Sequence, residues 1–420
     1  MRSASRHSAS SPLFRLLLWL RRLGRALWLR VAGFAVLALL AVMAAHLAAP
    51  LVPAWLDDRI GAKAVLPVLE ILASSMLAVS TFSLGIMVQS HRSAQQTTTP
   101  RVLTLMISDP LTQTVLGIFI GAFVYALTAF ILFQAGFDRG APLVLGVTLA
   151  VIGSVVFALI RWISYLTTMG TTGDALDRAE GQARKALKSH RRQPALGATP
   201  MGDDIVTPDV VTTLTARRSG ILQVIDVKGL AECAQGPVWV LRRPGQAVLR
   251  GAPVLQVTGD GDPDALLSCL VIGDDRTFEQ DPAYTLTVLS EIASRALSPA
   301  VNDPGTAIAV ITRLERLLWD WSQADPREVI DHPEVYVRPW TAEEMVEAAF
   351  APIARDGAGM LEVATQLLDA LNALGEGGDD GLAAAARAMG QRARAHAEGG
   401  LRLDDDTQRL PGSGARTAVR

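Results

Sequence analysis

The amino-acid sequence predicts an α-helical membrane domain of four transmembrane helices, followed by an α+β cytoplasmic domain with a small β module and a helical C-terminal part. Three observations predict it. Half of the 420 residues are hydrophobic and 19% are charged, with a mean hydropathy of +0.29, which a purely soluble chain does not usually reach. The apolar residues concentrate before about residue 165 in stretches near the ~20 residues that cross a bilayer as a helix. After residue 210, alternation of period two gives way to helical periodicity.

Residues 1–30 form a basic amphipathic segment in which Leu13, Phe14, Leu17, Leu20, Leu27 and Trp28 interleave with arginines. Such a segment either lies in the headgroup region or serves as a basic flank that sets topology. The membrane domain, 31–165, holds the stretches Val31–Val52, Val65–Val88, Val115–Ala135 and Pro142–Trp162. The first is too long for a secretory signal and no Ala-x-Ala cleavage pattern lies between Ala26 and Ala54, so it reads as a retained span.

Lysine and arginine are distributed unevenly between the connections. Arg2, Arg6, Arg15, Arg21, Arg22, Arg25 and Arg30 precede the first span, and Arg92 and Arg101 lie between the second and third. Arg161, Arg178, Arg184, Lys185, Lys188, Arg191 and Arg192 follow the fourth. The remaining two connections carry only Arg59, Lys63 and Arg139. The positive-inside rule then places both termini of a multi-pass membrane protein in the cytoplasm.

Two spans carry polar and small residues on one face. Glu70, Ser74, Thr81 and Gly85 recur at helical spacing on the second, and Gln113, Gly117, Gly121, Tyr125 and Thr128 line one stripe of the third. Small residues at four-residue spacing are ordinary helix-packing positions, and the alternative is a hydrated path through an oligomer. Glu70 lies near the start of its span, within reach of the outer interface.

The polar segment and linker, 166–209, open with charge alternating at helical spacing from Asp174 to His190 and continue through the Pro-, Gly- and Asp-rich stretch Gln193–Asp209. In the β module, 210–260, Val210–Thr215, Gly220–Ile225, Val238–Arg242 and Val254–Val257 read as strands. Pro244–Leu255 places two glycines six apart around a valine, similar to a hairpin of the barrel-sandwich modules of lipoyl domains and efflux adaptors. Covalent carriage needs a lysine on an exposed hairpin tip, and the module's Lys228 instead follows Asp226 in a strand-to-helix turn, so no cofactor is expected.

The helical domain, 261–400, begins its main helices with the same device twice, Asp281-Pro282 and Asp303-Pro304. Ser298–Pro304 is then a tight turn between antiparallel helices. Further helices follow over Thr341–Leu374, with a break near Asp356, and over Gly381–Ala397, and the tail 401–420 reads as disordered.

Catalytic chemistry is mostly excluded. The 39 basic and 41 acidic residues nearly cancel, which asks for no nucleic-acid partner. Neither a phosphate-binding loop nor a dinucleotide fingerprint occurs, and His7, His46, His91, His190, His332 and His396 are scattered without metal-ligand spacing. Cys233 and Cys269 cannot make a disulfide framework or a four-thiolate site and are expected to be reduced and structural. The expectation is therefore not an enzyme.

Four blocks carry a resemblance. Ser219–Asp226, Arg276–Asp281, the long block Glu291–Ala307 and Pro100–Leu103 resemble the bacterial membrane proteins grouped as domain of unknown function 2254. The resemblance implies the architecture above and no particular reaction. Within these blocks Arg276, Glu279, Asp281, Asn302 and Asp303 are candidates for a ligand or subunit contact, should the 276–281 segment and the 298–304 turn meet. Against that reading, Asp281 and Asp303 suit helix caps, Glu291 and Arg295 suit an i to i+4 pair, and Asn302 suits a turn. The partners expected are the lipid bilayer, further copies of the chain in a homo-oligomer, and an unidentified ligand or ion. Two functions compete, a channel-like or transport-related assembly regulated by its cytoplasmic domain and a non-transporting scaffold or sensor, and a third, a membrane-bound enzyme, ranks below them for want of a catalytic constellation.

Overall fold

The computed structural model describes residues 27–48, 61–97, 101, 110–136, 141–166, 171–202, 211–325 and 329–411. The amphipathic segment expected over 1–30 falls, as far as residue 26, outside them. Contacts divide the chain into two units: 17–96 with 103–175, and 176 onward together with 97–102.

The N-terminal unit is helical because its backbone donors and acceptors have no water to turn to in an apolar setting. It holds α1 (Leu27–Leu47), α2 (Ala62–Thr97), α3 (Pro110–Gln134) and α4 (Ala141–Leu166). Three stretches, Lys63–Ser90, Leu111–Gln134 and Ala141–Leu166, are long and apolar enough to cross a membrane, and α1 adds a shorter apolar stretch, Ala35–Ala44. Helix α1 packs along α3, and α3 along α4. Helix α2 contributes Val65, Leu69, Leu72 and Met76, at spacings of four, three and four residues, to a core shared with Phe119, Tyr125 and Trp162. Between α3 and α4 the Tyr125 hydroxyl donates to the Val144 carbonyl at 2.9 Å and lies 3.0 Å from the Thr148 hydroxyl. A buried polar pair bonded in this way fixes helix register without leaving an orphan.

The C-terminal unit takes in most of α5 (Thr172–Arg192), whose buried side runs Ala175, Leu176, Ala179, Ala183, Leu187, His190. Two sheets follow. One has five strands in the order β1 (Ala198–Pro200), β8 (His332–Val337), β4 (Val238–Val240), β6 (Pro253–Val257) and β2 (Thr212–Thr215). β8 pairs parallel with both β1 and β4, and the other pairs are antiparallel. The second sheet is β5 (Ala247–Val248), β3 (Gly220–Ile225) and β7 (Leu270–Gly273), antiparallel throughout. Short helices α6 (Val227–Cys233) and α7 (Pro263–Ser268) complete this layer around Leu222, Leu230, Leu255 and Leu266.

Helices α8 (Pro282–Ala296), α9 (Pro304–Gln323), α10 (Ala342–Asp356), α11 (Leu361–Gly377) and α12 (Asp380–Gly400) form the helical part, with α8 against α9 and α10, and α12 against α10 and α11. Helix α5 is tied to α9 by charge: Glu180 pairs with Arg313 at 3.1 Å and Arg316 at 2.7 Å, and Arg184 with Asp320 at 2.6 Å.

Three expectations are corrected. The 193–209 linker contains β1, and the region expected to be helical contains β7 and β8, so the β module of 210–260 is not self-contained. Pro333 argues against a strand in sequence, and only Val335 and Val337 of β8 enter the core, which leaves little pattern to read. The tail, expected to be disordered, holds α13 (Asp404–Gln408) and a buried Leu410, with Arg394 donating to the Pro411 carbonyl. One apolar side chain and one guanidinium hold it down. Residues 412–420 lie outside the described residues.

Candidate functional site

Asp281 is the N-cap of α8 and is 1% exposed. One carboxylate oxygen accepts the Tyr284 N–H at 2.9 Å, and the other accepts Arg276 Nε at 2.9 Å and Nη2 at 2.7 Å. Its cap role and its ion pair are thus made by different oxygens. Burial pushes the Asp281 carboxyl above the ordinary carboxylate range, and the Arg276 guanidinium opposes the shift. The backbone of Gly245, at φ +92°, passes so close that a Cβ there would strike the Asp281 carboxylate.

Tyr284 gathers the surrounding cations. Arg276 lies 4.7 Å from its ring centroid and Arg101 lies 6.0 Å away. Phe278 stacks on the same ring at 4.7 Å. Arg101 also pairs with Glu291, the residue expected to serve Arg295. Arg101, which in chain order lies between α2 and α3, belongs with the C-terminal unit.

Beside Asp281 lies a cavity of about 220 Å³ whose lining includes His190, Gln193, Arg243, Glu279, Asp281 and Trp340. Arg243 is 7% exposed. Its Nη1 donates to the Pro339 carbonyl at 2.9 Å and to Glu344 at 2.6 Å, and its guanidinium stacks 4.2 Å from the Trp340 ring centroid. Glu344 also closes a capping box with Thr341 at the start of α10. Burial alone would raise its carboxyl, but Arg243 and Thr341 bring it below the ordinary value. His190 is 8% exposed, and burial, helped by Arg191, lowers its imidazole to about 4.

The match to the family of predicted membrane proteins with domain of unknown function 2254 covers residues 24–373. The chain belongs to that family. It is 27% identical over 280 residues to an uncharacterized protein of Mycobacterium bovis and equally to one of Mycobacterium tuberculosis, covering 59% of this chain and 50% of each of those proteins. The chain therefore spans about half the length of the curated relatives it matches. No solved structure matches it.

Each of the four blocks that carry the family resemblance contributes described residues near Tyr284 and Asp281: Ile225, Arg276, Glu291 and Arg101. Gln280 joins the second block to the first: its side chain accepts the Ile225 N–H at 2.8 Å and donates to the Ile225 carbonyl at 3.1 Å, in the manner of a strand neighbour. Glu291, in the third block, holds Arg101 of the fourth. Arg276, Glu279 and Asp281 are thus brought into one neighbourhood. Asn302 and Asp303 are not: they lie at the other end of α8, a helix of 15 residues and about 22 Å. There Asn302 takes φ +51°, and Asp303 caps α9 by accepting the Thr306 N–H at 3.0 Å. The alternative in which the two segments meet is removed by the length of the helix between them.

His190, Arg243, Trp340 and Glu344 were not singled out by sequence reasoning. For His190 a signal existed, since it continues the stripe of Ala179, Ala183 and Leu187 and so places a polar ring where an apolar side chain is expected. In the N-terminal unit, Glu70, Ser74, Thr81 and Gly85 are exposed on α2, with Ser74 donating to the Glu70 carbonyl and Thr81 to the Leu77 carbonyl, each at 2.9 Å. Gln113, Gly117, Gly121 and Tyr125 are buried on α3. Among the described residues no three His, Cys, Asp or Glu side chains gather as metal ligands. Burial pushes the Cys269 thiol up to about 12 and raises Cys233, so neither is an activated nucleophile.

Proposed function

We propose that the chain is a four-span protein of the bacterial inner membrane with both termini cytoplasmic, and that it assembles as a homo-oligomeric, channel-like or transport-related protein regulated by its cytoplasmic domain. The observation that carries the reading is the outward face of α2. Glu70, Ser74, Thr81 and Gly85 are exposed there, on a helix whose other side is buried in the unit and whose length suits a span. The two hydroxyls are bonded to their own helix, but a carboxylate facing lipid tails is unfavourable, so a second copy or a hydrated path covers this face. Regulation enters through Arg101. It follows the second span in the chain, yet Glu291 and Tyr284 hold it, so a change around Asp281 and Arg276 reaches the connection between spans.

A second reading, a non-transporting scaffold or sensor, is favoured by the cavity at His190 and Arg243. Neither reading includes a catalytic step. Single cysteines at Ser74 and Thr81, in a chain with Cys233 and Cys269 replaced by serine, separate the two. Labelling of both by a water-soluble maleimide, with cross-linking between copies, supports the path. Cross-linking without labelling supports the scaffold, and a monomer whose two positions stay unlabelled overturns the assembly altogether.

A further inference from the structure

We propose that the groove between α3 and α4 holds an anionic phospholipid, with its phosphate on Arg161 and an acyl chain against Ile118 and Phe157. The groove has a volume of about 510 Å³, and its lining includes Thr114, Val115 and Ile118 of α3 and Phe157, Ala158 and Arg161 of α4. Val115 and Ala158 are buried and form the floor, while Phe157 is 63% exposed. The two helices are joined by the short connection 135–140 and pack on each other, so the start of α3 and the end of α4 lie at one end of the unit. At a rise of about 1.5 Å per residue, Thr114 is about 6 Å from the start of α3 and Arg161 about 7.5 Å from the end of α4. Ile118 and Phe157 lie one turn deeper. The lining thus changes from polar to apolar along the helices, in the same order as a phospholipid does from headgroup to tail.

Charge decides the class of lipid. Arg161 is the single charged residue in the sequences of α3 and α4. It is exposed, and among the described residues nothing pairs with it. A guanidinium near a helix end, with its stem along apolar surface and no protein partner, is placed to meet lipid phosphate. Trp162 and Tyr165, with ring centroids 5.9 Å apart, mark the same end as the interface. No described carboxylate lines the groove. The ammonium of a zwitterionic headgroup therefore finds no counter-charge there, whereas a headgroup of phosphate and hydroxyls leaves no charge unmatched. A soluble phosphate ester would satisfy Arg161 but leave the apolar part of the groove unfilled. The proposal asks only that α3 and α4 lie in a bilayer, and it stands whether the outward face of α2 meets a hydrated path or another copy.

The test is native mass spectrometry of the full chain in neutral detergent, titrated with dioleoyl phosphatidylglycerol, dioleoyl phosphatidylethanolamine or glycerol 3-phosphate. Phosphatidylglycerol is expected to bind more tightly than phosphatidylethanolamine by about fivefold, the contribution of one basic residue at an anionic surface. Arg161→Gln should bring that ratio close to one. Arg92→Gln, which removes an exposed arginine of α2, should leave it unchanged. Phe157→Ala should weaken phosphatidylglycerol as well, because part of the wall for the acyl chain is gone. Glycerol 3-phosphate should not bind measurably. Equal binding of the two phospholipids overturns the proposal, and so does a preference that survives Arg161→Gln or falls as far with Arg92→Gln. Phosphatidylglycerol binding that ignores Phe157→Ala, or glycerol 3-phosphate binding as tightly as the lipid, overturns it too. A second copy seated in the groove would exclude lipid, and the absence of any saturable binding would show that.

Discussion

Asp281 and Asp303 each precede a proline, and each accepts a backbone N–H three residues on at the start of a helix. Asp281 is 1% exposed, holds Arg276 with its second oxygen and lines a cavity. Asp303 stands in solvent and spends its second oxygen on the Thr306 hydroxyl at 2.6 Å. The same local device is therefore a buried junction in one place and a plain cap in the other. What separates them is what the rest of the chain brings: Gly245 and Arg276 close over Asp281, and nothing comparable closes over Asp303 among the described residues. The two polar stripes of the membrane unit repeat the lesson, with α3 turned into the core and α2 turned out of it.

The largest effect that sharpens this comparison is expected at Asp281. Asp281→Ala removes a cap and leaves the Arg276 guanidinium, whose side chain is 26% exposed, without its carboxylate. Stranding a buried charge costs about 3 to 5 kcal/mol. The lower end applies here, because water still reaches part of Arg276. Unfolding of the purified protein in detergent should show a loss of about 3 kcal/mol. A loss near that of a simple cap would mean that the ion pair contributes little and that the two aspartates are equivalent after all.

Much of this was legible in the sequence, for reasons that can be named. Both Asp-Pro starts follow from local chemistry, and so do the long apolar helices, since one window of residues contains the whole signal. The direction of each polar stripe was not legible: Gly117 and Gly121 are spaced like Thr81 and Gly85, and only tertiary packing, such as that of Tyr125 on Val144 and Thr148, decides which stripe is covered. The sheet was half legible. β3 and β6 are short, largely apolar runs bounded by glycine or proline, whereas β1 and β8 are joined in parallel across more than a hundred residues, and such pairing leaves no local trace. The candidate site behaves likewise. Arg276 and Asp281 are five residues apart, but His190, Arg243 and Trp340 come from three distant segments.

The middle effect tests the inward and outward stripes directly. Gly121 is buried on α3, so Gly121→Leu forces a large side chain into a filled space, and overpacking costs about 1 to 3 kcal/mol. Gly85 is exposed on α2, with nothing within 4 Å of an added Cβ. Gly85→Leu should leave the unfolding of the single chain within about 0.5 kcal/mol of the parent. If size-exclusion and melting profiles show Gly85→Leu as the more disruptive of the two, the outward stripe is a tight interface between copies and carries more of the stability than the inward one.

The smallest effect is expected at Asp303. Its carboxyl is held below the ordinary carboxylate range, first by the Thr306 hydroxyl and then by the Thr306 N–H. A carboxylate whose folded pKa is depressed contributes stability that is present above its unfolded value near 3.8 and lost as the pH falls through the lowered folded one. Asp303→Ala should therefore cost about 1 kcal/mol at neutral pH, the usual contribution of an N-cap, and the difference from the parent should vanish in acid. Melting curves of both proteins from neutral pH into the acid range measure this. An Asp303→Ala variant that loses as much stability as Asp281→Ala would show that the 298–304 turn is buried by something beyond one chain, and the turn would then belong with the contact surfaces of an assembly.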